Sequence, residues 1–191
     1  MEKQTANKSS KGWRITYNAK FTLTFCLIAV ILLNLNVFNG GVVNHYLGLS
    51  PSIRFFEFYR LVTYIVCHGS YEHLFSNLLF LIILGPILEE KYGAKRLLWM
   101  TIITAVTTGL VNSLLFSTGI IGASGIVFMF IILSSIVNLR NKEIPFTFLL
   151  VVLVYLGGEV IHSFKADGVS QFGHIFGGIC GAVFGFVGVR K

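Results

Sequence analysis

The feature that most constrains this chain is a series of six apolar segments of roughly bilayer length, separated by polar breaks. They lie approximately at Phe21–Phe38, His73–Leu88, Leu97–Phe116, Ser124–Leu139, Pro145–Ser163 and Phe172–Val189. A spanning helix needs about 20 residues, so six use about 120 and leave the remainder for loops and tails. Of the 191 residues, 54% are hydrophobic and 12% charged, whereas a soluble domain carries about 25% charged residues. So little charge cannot cover a globular surface. Disorder is excluded as well, because it requires low hydrophobicity and high charge. The expected fold class is all-α, a polytopic six-helix membrane bundle with a long outer loop between the first and second helices.

Residues 1–20 form a basic tail and residues 21–191 a single domain, with no linker long enough to separate a second, no internal repeat and no low-complexity tract. The first segment has no A-x-A cleavage site after it and reads as a retained helix rather than a signal peptide. With the N-terminus inside, the inner side collects Lys3, Lys8, Lys11, Arg14, Lys20, Lys91, Lys95, Arg96, Arg140, Lys142, Arg190 and Lys191, twelve of the fifteen Lys and Arg. The outer side keeps Arg54, Arg60 and Lys165. This positive-inside bias puts both termini in the cytoplasm. The net charge of +7 then answers an anionic inner leaflet, and no nucleic-acid-binding pattern accompanies it.

The outer loop from Asn39 to Gly69 carries Phe55, Phe56, Phe58 and Tyr59 among its charges. Such length and apolar character suit a functional or interface-lying loop. Cys26, Cys67 and Cys180 read as small buried hydrophobes, with neither a disulfide framework nor a C-x-x-C spacing.

Polar groups within the hydrocarbon are costly and suggest function. Four stand out: His73, Asn77, Ser124 and His174. His73 and Asn77 are spaced i and i+4 on one helix face. Ser124 lies in Gly122-Ala123-Ser124-Gly125, where the outer loop after the third span turns into the fourth helix, and His174 follows Gly173 at the start of the sixth. The second, fourth and sixth helices all enter from the outer face, so all four residues reach a similar depth, within roughly 5–10 Å of a helix start. Gly173, Gly177, Gly181 and Gly185 recur every four residues, a small-residue face that lets a neighbouring backbone approach closely. Singly, each polar residue has a structural explanation, as a serine bonding its own helix or a histidine satisfied inside the bundle. Together they make an acyl-transfer set of nucleophile, base and oxyanion donors. The single aspartate, Asp167, lies in an outer loop and the glutamates sit mostly at the inner face or in loops, so a Ser-His dyad is expected rather than a triad.

These residues resemble the rhomboid intramembrane serine proteases. The likeness rests on His68-Gly69-Ser70-Tyr71-Glu72-His73-Leu74-Phe75-Ser76-Asn77, the Gly-x-Ser-Gly at 122–125, and His174-x-x-Gly177-x-x-x-Gly181, in that order. Tyr59-Arg60 and Glu90-Lys91-Tyr92-Gly93 add weaker matches. The resemblance implies the basic six-helix form of a bacterial cell membrane, with Ser124 as nucleophile, His174 as general base and acid, and His73, Asn77 and the Ser124 backbone N–H as oxyanion donors. Gly122, Gly125, Phe128, Gly177 and Gly181 would support them. It also implies single-pass transmembrane substrates, cut within the bilayer near its outer face at small residues. Water would enter through a cavity open to that face, with the fifth helix as gate and the last outer loop as cap. No cofactor or metal is implied.

Two departures stand out. Phe128 occupies a position where the family often has tyrosine, and Glu159, one turn before His162, sits in the fifth segment. The Glu159–His162 pair is either an interface pair facing water or an element of the gate. Two other function classes compete. A rhomboid-like binder or chaperone of membrane helices typically lacks the serine or histidine, and this chain has both. A small transporter would show inverted repeats or paired broken helices, and neither is seen.

Overall fold

The computed structural model describes residues 17–136 and 169–188, with Phe146, Leu150 and Leu153 of the stretch between them. The first sixteen residues of the tail and most of the fifth apolar segment, including Glu159 and His162, lie outside the described residues.

Seven helices order the described chain: α1 (Lys20–Phe38), α2 (Val42–Leu47), α3 (Arg60–Thr63), α4 (Tyr71–Tyr92), α5 (Ala94–Leu115), α6 (Ser124–Ile136) and α7 (Val169–Gly188). Short 3-10 turns at Phe55–Glu57 and Tyr64–Val66 flank α3. Helices α1, α4 and α5 are long and apolar enough to cross a membrane, while α6 and α7 carry shorter apolar stretches. Three of the six expected spans thus appear at full length. Their ends run past the apolar runs because polar residues there are good helix ends. Ser70 accepts a hydrogen bond from the His73 N–H at 3.1 Å and starts α4 two residues before the expected His73. At the other end Gly93, at φ 81°, closes α4 and opens α5 directly, a backbone angle that only glycine takes readily.

Outward faces are hydrocarbon. Leu27, Ile31, Phe75, Leu79, Ile83, Ile103 and Leu110 are all exposed. Inward faces include hydroxyls and amides, with Thr101, Thr104, Thr108 and Asn112 of α5 all buried. This is the pattern of a bundle solvated by lipid, where apolar surface gains nothing by turning inward and close fit and hydrogen bonds hold helices together. Gly85 of α4 faces Thr22 of α1 with no room for a side chain between them. Beside it, Glu89 crosses from the end of α4 to the start of α1. Its carboxylate accepts the backbone N–H of Phe21 at 2.9 Å and of Thr22 at 3.0 Å, and the Thr22 hydroxyl at 3.0 Å. The first amides of a helix have no partner within it, so a distant carboxylate caps α1.

The loop between α1 and α4 is organised around Arg60, 7% exposed. Its Nη1 donates to the carbonyls of His45 at 2.7 Å and Gly48 at 2.8 Å, and its Nη2 pairs with Glu57 at 3.0 Å. Phe55 and Phe56 project from this loop at 87% and 70% exposure, in keeping with a loop that lies against the membrane interface.

Candidate active site

The stretch leading to α6 is tied to the outer loop before the helix begins. Leu49 and Ile120 exchange backbone hydrogen bonds of 3.1 Å each, and the Gly122 N–H donates to the Tyr64 carbonyl at 3.0 Å. Gly122 then turns at φ 118°, and a Cβ there would stand 2.6 Å from His73 Cε1 and 2.7 Å from Nε2. Both the angle and the space require glycine. The Ala123 carbonyl accepts from Ile126 at 2.8 Å and Val127 at 2.9 Å, which makes Ser124 the first helical residue. The Ser124 and Gly125 amides therefore have no carbonyl a turn earlier to bond, and they carry the positive end of the helix dipole. Ser124 is half-buried. It lines a cavity of about 250 Å³ together with Gly122, Gly125, Gly173, Tyr64 and Thr108.

Helix α7 packs more extensively on α6 than any other described pair of elements does. Gly177 meets the Gly125 carbonyl with no space for a Cβ; a Cβ on Gly181 would stand 2.5 Å from the Met129 carbonyl, and one on Gly185 2.8 Å from Ile136. Gly173 is different: a Cβ there would find Thr108 at 3.7 Å, an ordinary contact. The stripe is thus tight along the helix and relaxed at the cavity. Between these glycines, the His174 ring stacks on Phe128 with centroids 4.5 Å apart and planes 5° from parallel. Phe128 is one turn beyond Ser124, so the imidazole lies over the face of α6 that begins at the serine.

His73 reaches the cavity wall through Gly122. Asn77 is buried, and its amide donates to the His73 carbonyl at 2.9 Å along its own helix. Behind His73 stands His68, whose ring meets it edge-on with centroids 5.1 Å apart. His68 is 1% exposed, and neither ring nitrogen has a hydrogen-bond partner among the described residues. Burial, and then the neighbouring His73, lower its pKa to about 4. Sequence reasoning passed over His68 although it opens the second-helix motif, because it lies before the helix and shares no periodicity with the rest. Of the acidic groups, Glu57 is engaged by Arg60 and Glu89 by α1. Among the described residues no cluster of three His, Cys, Asp or Glu could hold a metal ion. Cys26, Cys67 and Cys180 are unbridged, and burial pushes the Cys67 thiol up to about 11.

A bundle that turns hydrocarbon outward and packs glycine closely inward defines an integral membrane protein. Residues 56–191 match the family model described as Rhomboid domain, and the chain belongs to the rhomboid family of intramembrane serine proteases. Among its relatives, Rhomboid protease GlpG of Haemophilus influenzae is 25% identical over 134 residues, 69% of this chain and 70% of that protein. Putative rhomboid protease YdcA of Bacillus subtilis is 29% identical over 140 residues, 71% of this chain and 69% of the relative. Rhomboid protease GluP of the same organism is 31% identical over 181 residues, 87% of this chain but 34% of its own length. The chain therefore spans about a third of that longer relative.

Proposed function

We propose that this chain is an endopeptidase that cuts transmembrane helices near the outer membrane face, using Ser124 as nucleophile and His174 as general base and acid. The reading is carried by one observation. The serine opens a helix on a cavity wall, and the imidazole of α7 is stacked one turn along that same helix. In the proposed reaction the Ser124 hydroxyl attacks the scissile carbonyl as His174 takes its proton. His174 then returns the proton to the leaving amine, giving an acyl-enzyme. Water, deprotonated by His174, attacks the ester carbonyl, and His174 returns the proton to Ser124 Oγ as the ester bond breaks and the acid leaves. The oxyanion formed at each step is met by the Ser124 N–H at the positive end of α6, with His73 and Asn77 as further donors. The glycines around the cavity leave room for a small side chain at the cut site. Glu159 and His162 are assigned to the gate, and unchanged activity of Glu159→Gln across pH would remove that role. The single domain is expected to sit in a bacterial cell membrane with both termini cytoplasmic and the site opening outward.

The test is cleavage of a model transmembrane substrate in liposomes, alongside labelling by a fluorophosphonate. Wild type should cut and label, and Ser124→Ala should do neither. Equal cutting by both proteins rejects Ser124 as nucleophile. Capture of substrate helices without any cutting by wild type supports a helix binder instead.

A further inference from the structure

The surroundings of His73 are built largely from outside its own helix. Its ring lies against Gly122 and meets the ring of the buried His68 edge-on, with centroids 5.1 Å apart. His68 precedes α4, and only Gly69 separates it from the capping residue Ser70. A Cβ on Gly69 would meet nothing nearer than Ile121 Cδ1 at 3.7 Å, so the covalent link to α4 leaves His68 free to turn. What fixes it comes from α2: Asn44 Nδ2 donates to the His68 carbonyl at 2.8 Å. Asn44 is fixed in its turn. Its backbone N–H, one of the first amides of α2 and without a partner inside that helix, donates at 2.8 Å to Oδ1 of the buried Asn36 on α1. A line of contacts thus runs from Asn36 through Asn44, His68 and His73 to Gly122, two residues before Ser124.

Two observations set the Asn44 side chain apart from ordinary loop anchoring. Helix α2 is already held by other side chains. Arg60 donates to the His45 and Gly48 carbonyls, the Tyr59 hydroxyl to the Tyr46 carbonyl at 3.0 Å, and the Thr63 hydroxyl to the Leu47 carbonyl at 2.7 Å. In addition, Asn44 Oδ1 is buried with no hydrogen-bond partner among the described residues. An unpaired buried acceptor offsets what the donor end contributes to stability, so the main effect of this amide is on where His68 sits. We propose that Asn44 is a positioning residue, acting through His68 to hold the His73 ring where it meets the oxyanion. The inference rests on the donor role proposed for His73. Donors aimed in advance at developing charge act on the transition state and not on bound substrate. Slack in His68 therefore slows the chemistry and leaves substrate affinity alone.

Single-turnover cleavage in liposomes over a range of substrate densities separates the maximal rate from half-saturation, with fluorophosphonate labelling and thermal unfolding in parallel. Asn44→Ala and the equally sized Asn44→Asp both lack the donor, and each should cut on the order of ten-fold more slowly at saturation. Half-saturation should stay within about two-fold of wild type. Thr63→Val, which frees α2 at Leu47 and leaves Asn44 in place, should cut at the wild-type rate. In a His73→Ala background, Asn44→Ala should slow labelling no further, because the ring it positions is gone. Wild-type rates in both Asn44 variants overturn the inference, as does a loss confined to half-saturation. Equal slowing by Thr63→Val assigns the effect to general anchoring of the loop, and the same slowing repeated on His73→Ala shows that Asn44 acts elsewhere; either result rejects the positioning role. If neither Asn44 variant folds, the amide is structural and the inference falls. His73→Ala that labels as fast as wild type removes instead the donor role of His73 itself, whatever Asn44 does.

Discussion

His68 shows how much a single buried side chain governs here. An unfolded histidine takes its proton near pH 6.5, whereas the folded His68 does so near 4. Its contribution to stability is therefore complete above pH 6.5 and is lost as pH falls from there towards 4, because only the unfolded chain binds the proton in that window. The full effect is on the order of 3 kcal/mol. Unfolding in detergent from pH 7.5 to 4 should show a steeper acid decline for wild type than for His68→Gln; parallel curves would show that His68 does not carry it. Phe128 acts by packing instead. An aromatic stack is worth about 0.5–1.5 kcal/mol, so Phe128→Ala should slow cleavage by about 2- to 10-fold. Phe128→Tyr keeps the ring and should stay within about two-fold of wild type. Single-turnover rates with one substrate compare the three proteins.

At the level of elements, the α6–α7 contact and the α1–α4 contact rest on different physics. The first is steric. A Cβ on Gly177 runs into the backbone of Gly125, which no rotamer change can relieve, whereas one on Gly173 meets only a methyl group at 3.7 Å. Overpacking costs typically about 1–3 kcal/mol and more where the obstacle is main chain. Gly177→Ala should therefore unfold well below wild type in a thermal scan, with Gly173→Ala close to wild type. A similar midpoint for both variants would mean that the helices are not in backbone contact. The second contact is electrostatic. Glu89→Ala removes three hydrogen bonds to a carboxylate and leaves two helix amides uncapped, a loss of roughly 1–3 kcal/mol. The same scan should show it, and Glu89→Gln, which keeps an acceptor, should fall between the two.

Across the whole molecule, what was legible in the sequence was whatever repeats locally. The starts and ends of α1, α4 and α5 fall within four residues of the apolar runs, and the every-fourth glycines marked the face that α7 turns to α6. Arg60, Glu89 and His68 were not legible in these roles. Their partners lie far along the chain or in irregular loops, where no periodicity announces a contact. The orientation proposed from the charge bias can be checked with inserted thiols. Ser52→Cys in the outer loop should react with a membrane-impermeant maleimide on intact cells, and Lys95→Cys at the α4–α5 turn should react only after lysis. Cys26 and Cys67 are buried, and the half-buried Cys180 is changed to serine in both proteins to remove its background. The reverse pattern would invert the bundle. The Glu89 cap also sets an order of assembly. The amides it satisfies belong to Phe21 and Thr22, 68 and 67 residues earlier. During synthesis α1 is made, and enters the bilayer, well before its cap exists. The starting end of α1 relies on interfacial water until α4 brings the carboxylate back beside it. The first helix to be made thus waits for the return of α4 to be capped, and a chain stalled before residue 89 leaves the Phe21 and Thr22 amides without that carboxylate.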